Sequence, residues 1–277
     1  MITRIKDSIV ITDEPQFDIQ KVLECGQIFR YHKIDNGYVF YSLDKCATAT
    51  TIGNQCVIVS DDIDYFYNYL DLDTDYERIY LTLHDTDDCM RKATEYGQGI
   101  RILRQNTLET IICFIISANN NIKRIQGIVE RLCTYAGDKT AYGYAFPTLE
   151  QLSCCSVDIY RQVGCGYRSQ YLFDTVQAIH NGQLDINSLH LLDTQDAKQQ
   201  LLKLKGVGGK VADCILLFGM GRYDVFPTDT WIKKVYEQNY GDGNKCTDIA
   251  TFFVNKYLKL SGYAQQYLFY YQRAGNF

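Results

Sequence analysis

The sequence predicts an α+β fold, an N-terminal antiparallel β-sheet domain docked on a two-part α-helical region. Three observations carry this. Residues 1 to about 60 read as short β-rich runs separated by two tight-turn signals. From about residue 61 the apolar spacing becomes helical and stays so. Only three prolines occur and no low-complexity linker, so the sheet is expected to pack on the helices, not to hang from a tether. The domains are drawn at 1–92, the sheet with its flanking helices, and 93–277, the helical region.

The strands come first. Residues 8–12 are β-rich. Residues 28–34 and 38–43 flank Asp35-Asn36-Gly37, and 48–52 and 56–60 flank Gly53-Asn54, both strong hairpin signals. The segment Glu24-Cys25-Gly26-Gln27-Ile28-Phe29-Arg30 interrupts the pattern, and a glycine in a bend between strands accounts for Gly26 alone. Helices are then expected over 61–70, 75–84 and 87–96. Their tyrosines Tyr65, Tyr67, Tyr69, Tyr76 and Tyr80 read as packing.

Asn106 with Glu109 makes a capping-box-like start to an apolar helix over 108–116. Ser117-Ala118-Asn119-Asn120-Asn121 follows, then an amphipathic helix from Ile122 to Gly137. Taken alone, Asn119 is a capping residue and Arg124 a surface charge. Residues 139–160 say little. In Gly164-Cys165-Gly166-Tyr167-Arg168 an aromatic ring and a guanidinium stand together at a helix start. An exposed pair there could wedge into a base stack and fork onto a base edge, or Tyr167 could simply be half-buried.

The stretch 204–236 organises the rest. A helix over 194–203 ends at Leu204, and Gly206, Val207, Gly208 and Gly209 make a tight hairpin. An apolar helix begins at about Gly209, with Lys210 in its first turn and Cys214 four residues on, on the same face. Such a helix start offers unpaired N–H groups and partial positive charge, a holder for phosphate of any sequence. The same field, with an apolar neighbourhood, disfavours the ammonium form of Lys210 and leaves an amine able to form a Schiff base. Phe226 and Pro227 then break the chain, and Asp229 stands at the N-cap of the next helix, where the dipole favours a carboxylate. The plainer alternative makes Lys210 a phosphate contact and Asp229 only a cap. Two helices over 247–260 and 262–273 finish the chain, and Gln265 and Phe269 share a face of the last.

Composition narrows the class. Hydrophobic content of 46% and charged content of 22% are ordinary for a globular protein. The apolar run 111–116 is far too short to cross a bilayer, and the opening residues lack a secretory core. The expected setting is the cytoplasm or nucleoid of a prokaryote, or a eukaryotic nucleus. Eleven cysteines are too dilute for a disulfide scaffold and contain no CxxC pair. The net charge of −5 argues against indiscriminate nucleic-acid binding, but the acidic residues crowd into 61–88. Lys203, Lys205, Lys210, Lys233 and Lys234 are expected on the face that would meet nucleic acid, away from the acidic stretch.

The hairpin, its lysine and Asp229 together resemble the helix-hairpin-helix Gly/Pro-Asp signature of DNA glycosylases, and LKGVGGKVADC looks most like the 8-oxoguanine DNA glycosylase branch. The resemblance places the helix-hairpin-helix at about 195–220 and the catalytic aspartate loop at 224–231. It implies Lys210 as nucleophile and Asp229 as essential carboxylate. It implies a base pocket of Gly26, whose carbonyl would accept from N7–H of the oxidised base, with Cys214, Gln265 and Phe269. It implies Asn119 filling the gap left by the flipped base, Tyr167 as wedge, Arg124 and Arg168 as readers of the opposite cytosine, and Gly206, Val207 and Gly208 as the phosphate-binding hairpin. The implied activity is a bifunctional glycosylase/AP lyase acting as a monomer on double-stranded DNA. No metal or organic cofactor is expected in the chemistry, though a structural cation at the hairpin carbonyls is left open. An iron–sulfur cluster is not expected, since only Cys246 lies beyond Cys214. A glycosylase for another damaged base, or a non-catalytic helix-hairpin-helix DNA-binding protein, are the alternatives. The family's histidine two residues after the aspartate is here Trp231, to which no role is carried over.

Overall fold

A computed structural model describes residues 1–241 and 248–275. Six strands, β1 Ile2–Ile5, β2 Ser8–Thr12, β3 Tyr31–Ile34, β4 Gly37–Ser42, β5 Lys45–Ile52 and β6 Gln55–Ser60, form one antiparallel sheet in the order β1-β2-β6-β5-β4-β3. Both expected hairpins are present, with Ile34 opposite Gly37 and Ile52 opposite Gln55. Alternate residues of β4 face inward, so Tyr38 and Phe40 lie against Ala49 and Ala47 of β5 and join Ile9 and Ile58 in the sheet's core. The helix α1, Ile19–Glu24, sits between β2 and β3 and closes one edge of this core; the strand pattern hid it.

Three short helices follow, α2 Ile63–Tyr69, α3 Tyr76–His84 and α4 Asp88–Gly97. Each is N-capped by an aspartate, Asp62, Asp75 and Asp87, whose side chain accepts a backbone N–H of the first turn. The acidic run is therefore largely three helix starts in succession. Asp71, inside the same run, is fully buried and bonded to Thr74 and the Tyr76 hydroxyl, with Arg104 paired to it at 2.5 Å.

The remaining helices are α5 Thr107–Ser117, α6 Ile122–Ala136, then a two-strand hairpin (β7 Lys139–Thr140, β8 Gly143–Tyr144), α7 Leu149–Ser153, α8 Val157–Gln162, α9 Arg168–His180, α10 Ile186–Leu189 and α11 Thr194–Leu201. Then come α12 Gly209–Cys214, α13 Thr230–Asn239, α14 Ile249–Tyr257 and α15 Ser261–Arg273. The helix α5 runs through the helical core, with every residue of its apolar stretch from Ile111 to Ile116 buried. The last helix, α15, packs on both α4 and α13, which returns the C-terminal end to the sheet side of the molecule.

Sheet and helices are joined by hydrogen bonds, as expected of docked layers. Gln27 is fully buried; it donates to Arg101 O at 2.7 Å and accepts from Leu103 N at 2.9 Å. Arg30 donates to Tyr144 O at 2.6 Å.

Three local expectations are corrected. The strand expected over 28–34 begins only at Tyr31, because Ile28, Phe29 and Arg30 leave the sheet and bury. The capping box at α5 is half made: Asn106 accepts from Glu109 N at 3.1 Å, but the Glu109 carboxylate accepts from Leu43 N at 3.0 Å, across the domain junction. The helix after Lys210 is α-helical only to Cys214 and π-helical over Ile215–Gly219. Carbonyls of that segment are taken from outside, Phe218 O by Gln105 N at 3.2 Å and Gly219 O by the Thr107 hydroxyl at 2.6 Å. The N-terminal end of the expected 247–260 helix and Cys246 lie outside the described residues.

Candidate active site

The hairpin before α12 is built on one glycine. Gly206 has φ +80, and a Cβ there would meet the Tyr171 ring at 2.8 Å, so α9 and the hairpin touch through a position only glycine fills. The Thr175 hydroxyl fixes the same turn by donating to Lys205 O at 3.0 Å. Val207 is buried beneath it. Gly208 stands at the N-cap of α12 with no side-chain cap, and open space lies in front of both Gly208 and Gly209. The start of α12 thus keeps its orphan N–H groups free of protein side chains.

Lys210 emerges one residue into this helix. Its Nζ lies 5.3 Å from the centroid of the Phe114 ring. That ring is stacked on Phe218 of the π-helical segment at 5.4 Å and meets Phe29 edge-on at 5.8 Å. The lysine therefore rests on an aromatic floor drawn from α5, the π segment and the residues beside Gly26. Cys214, one turn on, is buried. Burial pushes its thiol up to about 11, with the Lys210 charge pulling the other way, so it is an S–H group at neutral pH. Asp213, beside it, is buried and paired with Lys198 of α11 at 2.6 Å, which pins α12 to the preceding helix.

Asp229 is the N-cap of α13. One carboxylate oxygen accepts from Trp231 N and Ile232 N, both at 3.0 Å, which fixes the side chain and leaves the second oxygen for other work. Gln265 of α15 is buried; its Nε2 donates to Pro227 O at 3.1 Å, two residues before Asp229. Its Oε1 is buried without a partner. One turn further, Phe269 is half-buried and comes to the turn at Gly26, which has φ +93. A Cβ on Gly26 would stand 3.4 Å from the Phe269 ring and 3.9 Å from Ile122 at the start of α6. The expected pocket residues thus fall into Lys210 with Cys214 one turn on along α12, and Gly26 with Phe269, while Gln265 ties α15, which carries Phe269, to the loop of Asp229.

The other expected residues form a neighbouring loop cluster. The three consecutive asparagines divide their work. Asn119 is exposed with φ +49, Asn120 donates to Ile116 O at 3.1 Å and closes α5, and Asn121 caps α6 by accepting from Arg124 N at 3.0 Å. Arg124 is exposed. The pair at 167–168 is exposed only in part, contrary to expectation. Tyr167 is 58% exposed, whereas Arg168 is buried beneath it, 4.4 Å from the Tyr167 ring centroid. The Arg168 guanidinium donates to Ala118 O, to Asn119 O at 2.9 Å and to Cys165 O at 3.3 Å. In this conformation it braces the Asn119 loop.

Phe114, Phe218 and Ile122 were not legible as site residues, since apolar residues in apolar helices carry no marking. Arg273 was missed as well, though a signal for it existed: it stands four residues after Phe269 on the same helix face. Among the described residues no cluster of three or more His, Cys, Asp or Glu side chains could hold a metal, and no helix is long and apolar enough to cross a membrane.

Two family models match the chain. Residues 9–111 match the N-terminal domain of 8-oxoguanine DNA glycosylase, and 112–258 match the HhH-GPD superfamily base excision DNA repair protein. The chain is 36% identical over 205 residues to the N-glycosylase/DNA lyase OGG1 of Arabidopsis thaliana, covering 66% of this chain but only 56% of that protein. It is 30% identical over 240 residues to a probable N-glycosylase/DNA lyase of Methanothermobacter thermautotrophicus, covering 76% of this chain and 74% of that one. Its structure superposes with a TM-score of 0.94, at 36% identity and over 100% of this chain and 99% of the other, on the Clostridium acetobutylicum 8-oxoguanine glycosylase/lyase in complex with double-stranded DNA containing cytosine opposite 8-oxoguanine.

Proposed function

The chain belongs to the 8-oxoguanine DNA glycosylase branch of the HhH-GPD superfamily of base excision DNA repair proteins, and on that premise we propose that it is a bifunctional glycosylase/AP lyase that excises 8-oxoguanine opposite cytosine in double-stranded DNA. The observation that carries this is Lys210 in the first turn of α12, its amine over the Phe114 ring, with Asp229 fixed at the N-cap of α13 and Gln265 tied to the aspartate loop.

The damaged nucleotide must leave the stack, because a stacked base hides its C1′. The start of α12 and the nearby lysines hold the backbone phosphates. Tyr167 enters the stack, Asn119 occupies the vacated position, and Arg124 and Arg168 read the opposite cytosine. Reading by Arg168 requires it to exchange the carbonyls of Ala118 and Asn119 for the base edge. In the pocket Phe269 stacks on the purine and the unpaired Gln265 Oε1 accepts from its Watson–Crick edge. The Gly26 carbonyl accepts from N7–H, which ordinary guanine lacks.

The lone pair of the Lys210 amine then attacks C1′ while the C1′–N9 bond breaks and its electron pair leaves with the base, which takes up a proton. Asp229 stabilises the positive charge developing on the sugar; its second carboxylate oxygen is the one not tied to α13. The attached nitrogen loses one proton, its lone pair then breaks the C1′–O4′ bond, the ring oxygen leaves with that bond's electron pair and takes up a proton, and a protonated iminium forms. Loss of a C2′ proton breaks the 3′ C–O bond and releases the strand. The test is strand cleavage of duplexes carrying 8-oxoguanine, an alkylated purine or an oxidised pyrimidine, with 8-oxoguanine placed opposite each of the four bases. The proposal expects cleavage of 8-oxoguanine, fastest opposite cytosine. Equal or faster cleavage of an alkylated base, or binding with no cleavage of any lesion, contradicts it.

A further inference from the structure

Arg273 ends α15, and its guanidinium lies 5.4 Å from the centroid of the Phe269 ring. Nη2 donates to Glu24 O. Nη1 stands 2.9 Å from the point where a Gly26 Cβ would be. It is sealed from solvent and has no hydrogen-bond partner. One turn earlier on the same helix, Gln266 Nε2 donates to Cys25 O at 3.2 Å. Successive carbonyls of the turn that leads into Gly26 are thus held by α15, and the gap at Gly26 is filled by the arginine itself.

A charged donor left unpaired in a buried place is costly. An apolar side chain of similar length would fill the volume beside Phe269 without that cost. The geometry must therefore be kept by something a methylene stem does not supply. What the guanidinium supplies is a flat, rigid plate, one edge fixed on Glu24 and one face on the Phe269 ring. We propose that Arg273 is a positioning residue for lesion recognition, an inference that rests on the base-excision reading above: its guanidinium, wedged between Phe269 and Gly26, sets the separation of the two pocket walls between which the flipped purine is read. The absence of a side chain at Gly26 and the arginine at 273 are then one constraint. Among the described residues no hydrogen bond or ion pair joins Arg273 to Lys210 or Asp229, so the effect belongs to the step that needs a base.

Two rates test this on the same enzyme preparation: single-turnover release of 8-oxoguanine opposite cytosine, and strand cutting at a preformed abasic site. Their ratio cancels any loss of folded protein. Arg273→Met keeps the stem and removes the plate; Arg273→Lys keeps the charge and removes the plate. Both are expected to lower the ratio by about tenfold or more, the scale of loss when a reacting group is misplaced. An Arg273→Met ratio within about twofold of wild type overturns the role, and so does full rescue by Arg273→Lys, which would make charge the active property. Should wild type cut abasic sites yet release no 8-oxoguanine, the substrate reading fails first, and recognition of this lesion by Arg273 falls with it.

Discussion

Replacing Gly26 by alanine separates the pocket from the rest of the machinery. At φ +93 a Cβ costs about 1–2 kcal/mol in backbone strain. The new carbon would also lie 2.9 Å from Arg273 Nη1, the far end of a flexible side chain, and 3.4 Å from the Phe269 ring. If the guanidinium gives way and releases Glu24 O, a further charge-assisted hydrogen bond is lost, worth about 1.5–3 kcal/mol. The total lies near 2.5–5 kcal/mol if the backbone holds its conformation, and a fall in Tm of about 5–20 °C follows. If the turn relaxes instead, Tm changes little but the Gly26 peptide moves away from the purine. Either way 8-oxoguanine release should fall about tenfold to a hundredfold, since a displacement of about 1 Å at a recognition contact is worth that much. Cutting of a preformed abasic site, which places no base against this wall, should fall far less. The assay is single-turnover cleavage of both substrates beside a melting curve. The reasoning is refuted if Gly26→Ala slows both substrates equally, or if release and Tm both stay at wild-type values.

Two further outcomes follow from the same geometry. Asp229→Asn keeps the side-chain oxygen that accepts from Trp231 N and Ile232 N, so Tm should move by no more than the dipole term of about 0.5–1 kcal/mol, while base release falls about a hundredfold or more; a large Tm loss with modest kinetic loss would make Asp229 a cap only. Burial raises the Glu109 carboxyl above its ordinary range, against the opposing pull of Arg30 and the Leu43 N–H. A carboxyl raised in the folded state contributes stability below its unfolded pKa, and that contribution is lost as pH climbs through the folded value. Glu109→Gln should therefore gain Tm relative to wild type as pH goes from about 4 to about 8, and a difference that stays flat would show that burial of this charge is not what governs the junction.

Much of this was legible in the chain, for physical reasons. The two hairpins declare themselves because a two-residue turn needs residues tolerant of positive φ or local hydrogen bonding, and Asp35-Asn36-Gly37 and Gly53-Asn54 supply them. The helix starts are legible because Asp62, Asp75, Asp87, Asn106, Asn121 and Asp229 each cap a helix in the structure. What the chain concealed is where long-range partners override local pattern. Glu109 has the spacing of a capping box yet serves Leu43. Residues 28–30 have strand character yet fall outside the strand, with Ile28 in the sheet's core and Phe29 turned to Phe114 of the helical core. Arg168 looked like a free reader beside Tyr167, but three backbone carbonyls claim it. The π-helical turn is set by Gln105 and Thr107, a hundred residues away in sequence, and no local window contains them.

The central claim is that one amine forms a covalent bond to the damaged nucleotide. Wild-type protein, Lys210→Gln and Asp229→Asn should be incubated with an 8-oxoguanine·cytosine duplex and sodium borohydride, and the cross-linked peptide mapped by mass spectrometry. The account predicts a stable adduct on Lys210 in wild type and none in Lys210→Gln. An adduct on any other residue, or one that forms undiminished in Lys210→Gln, would contradict it.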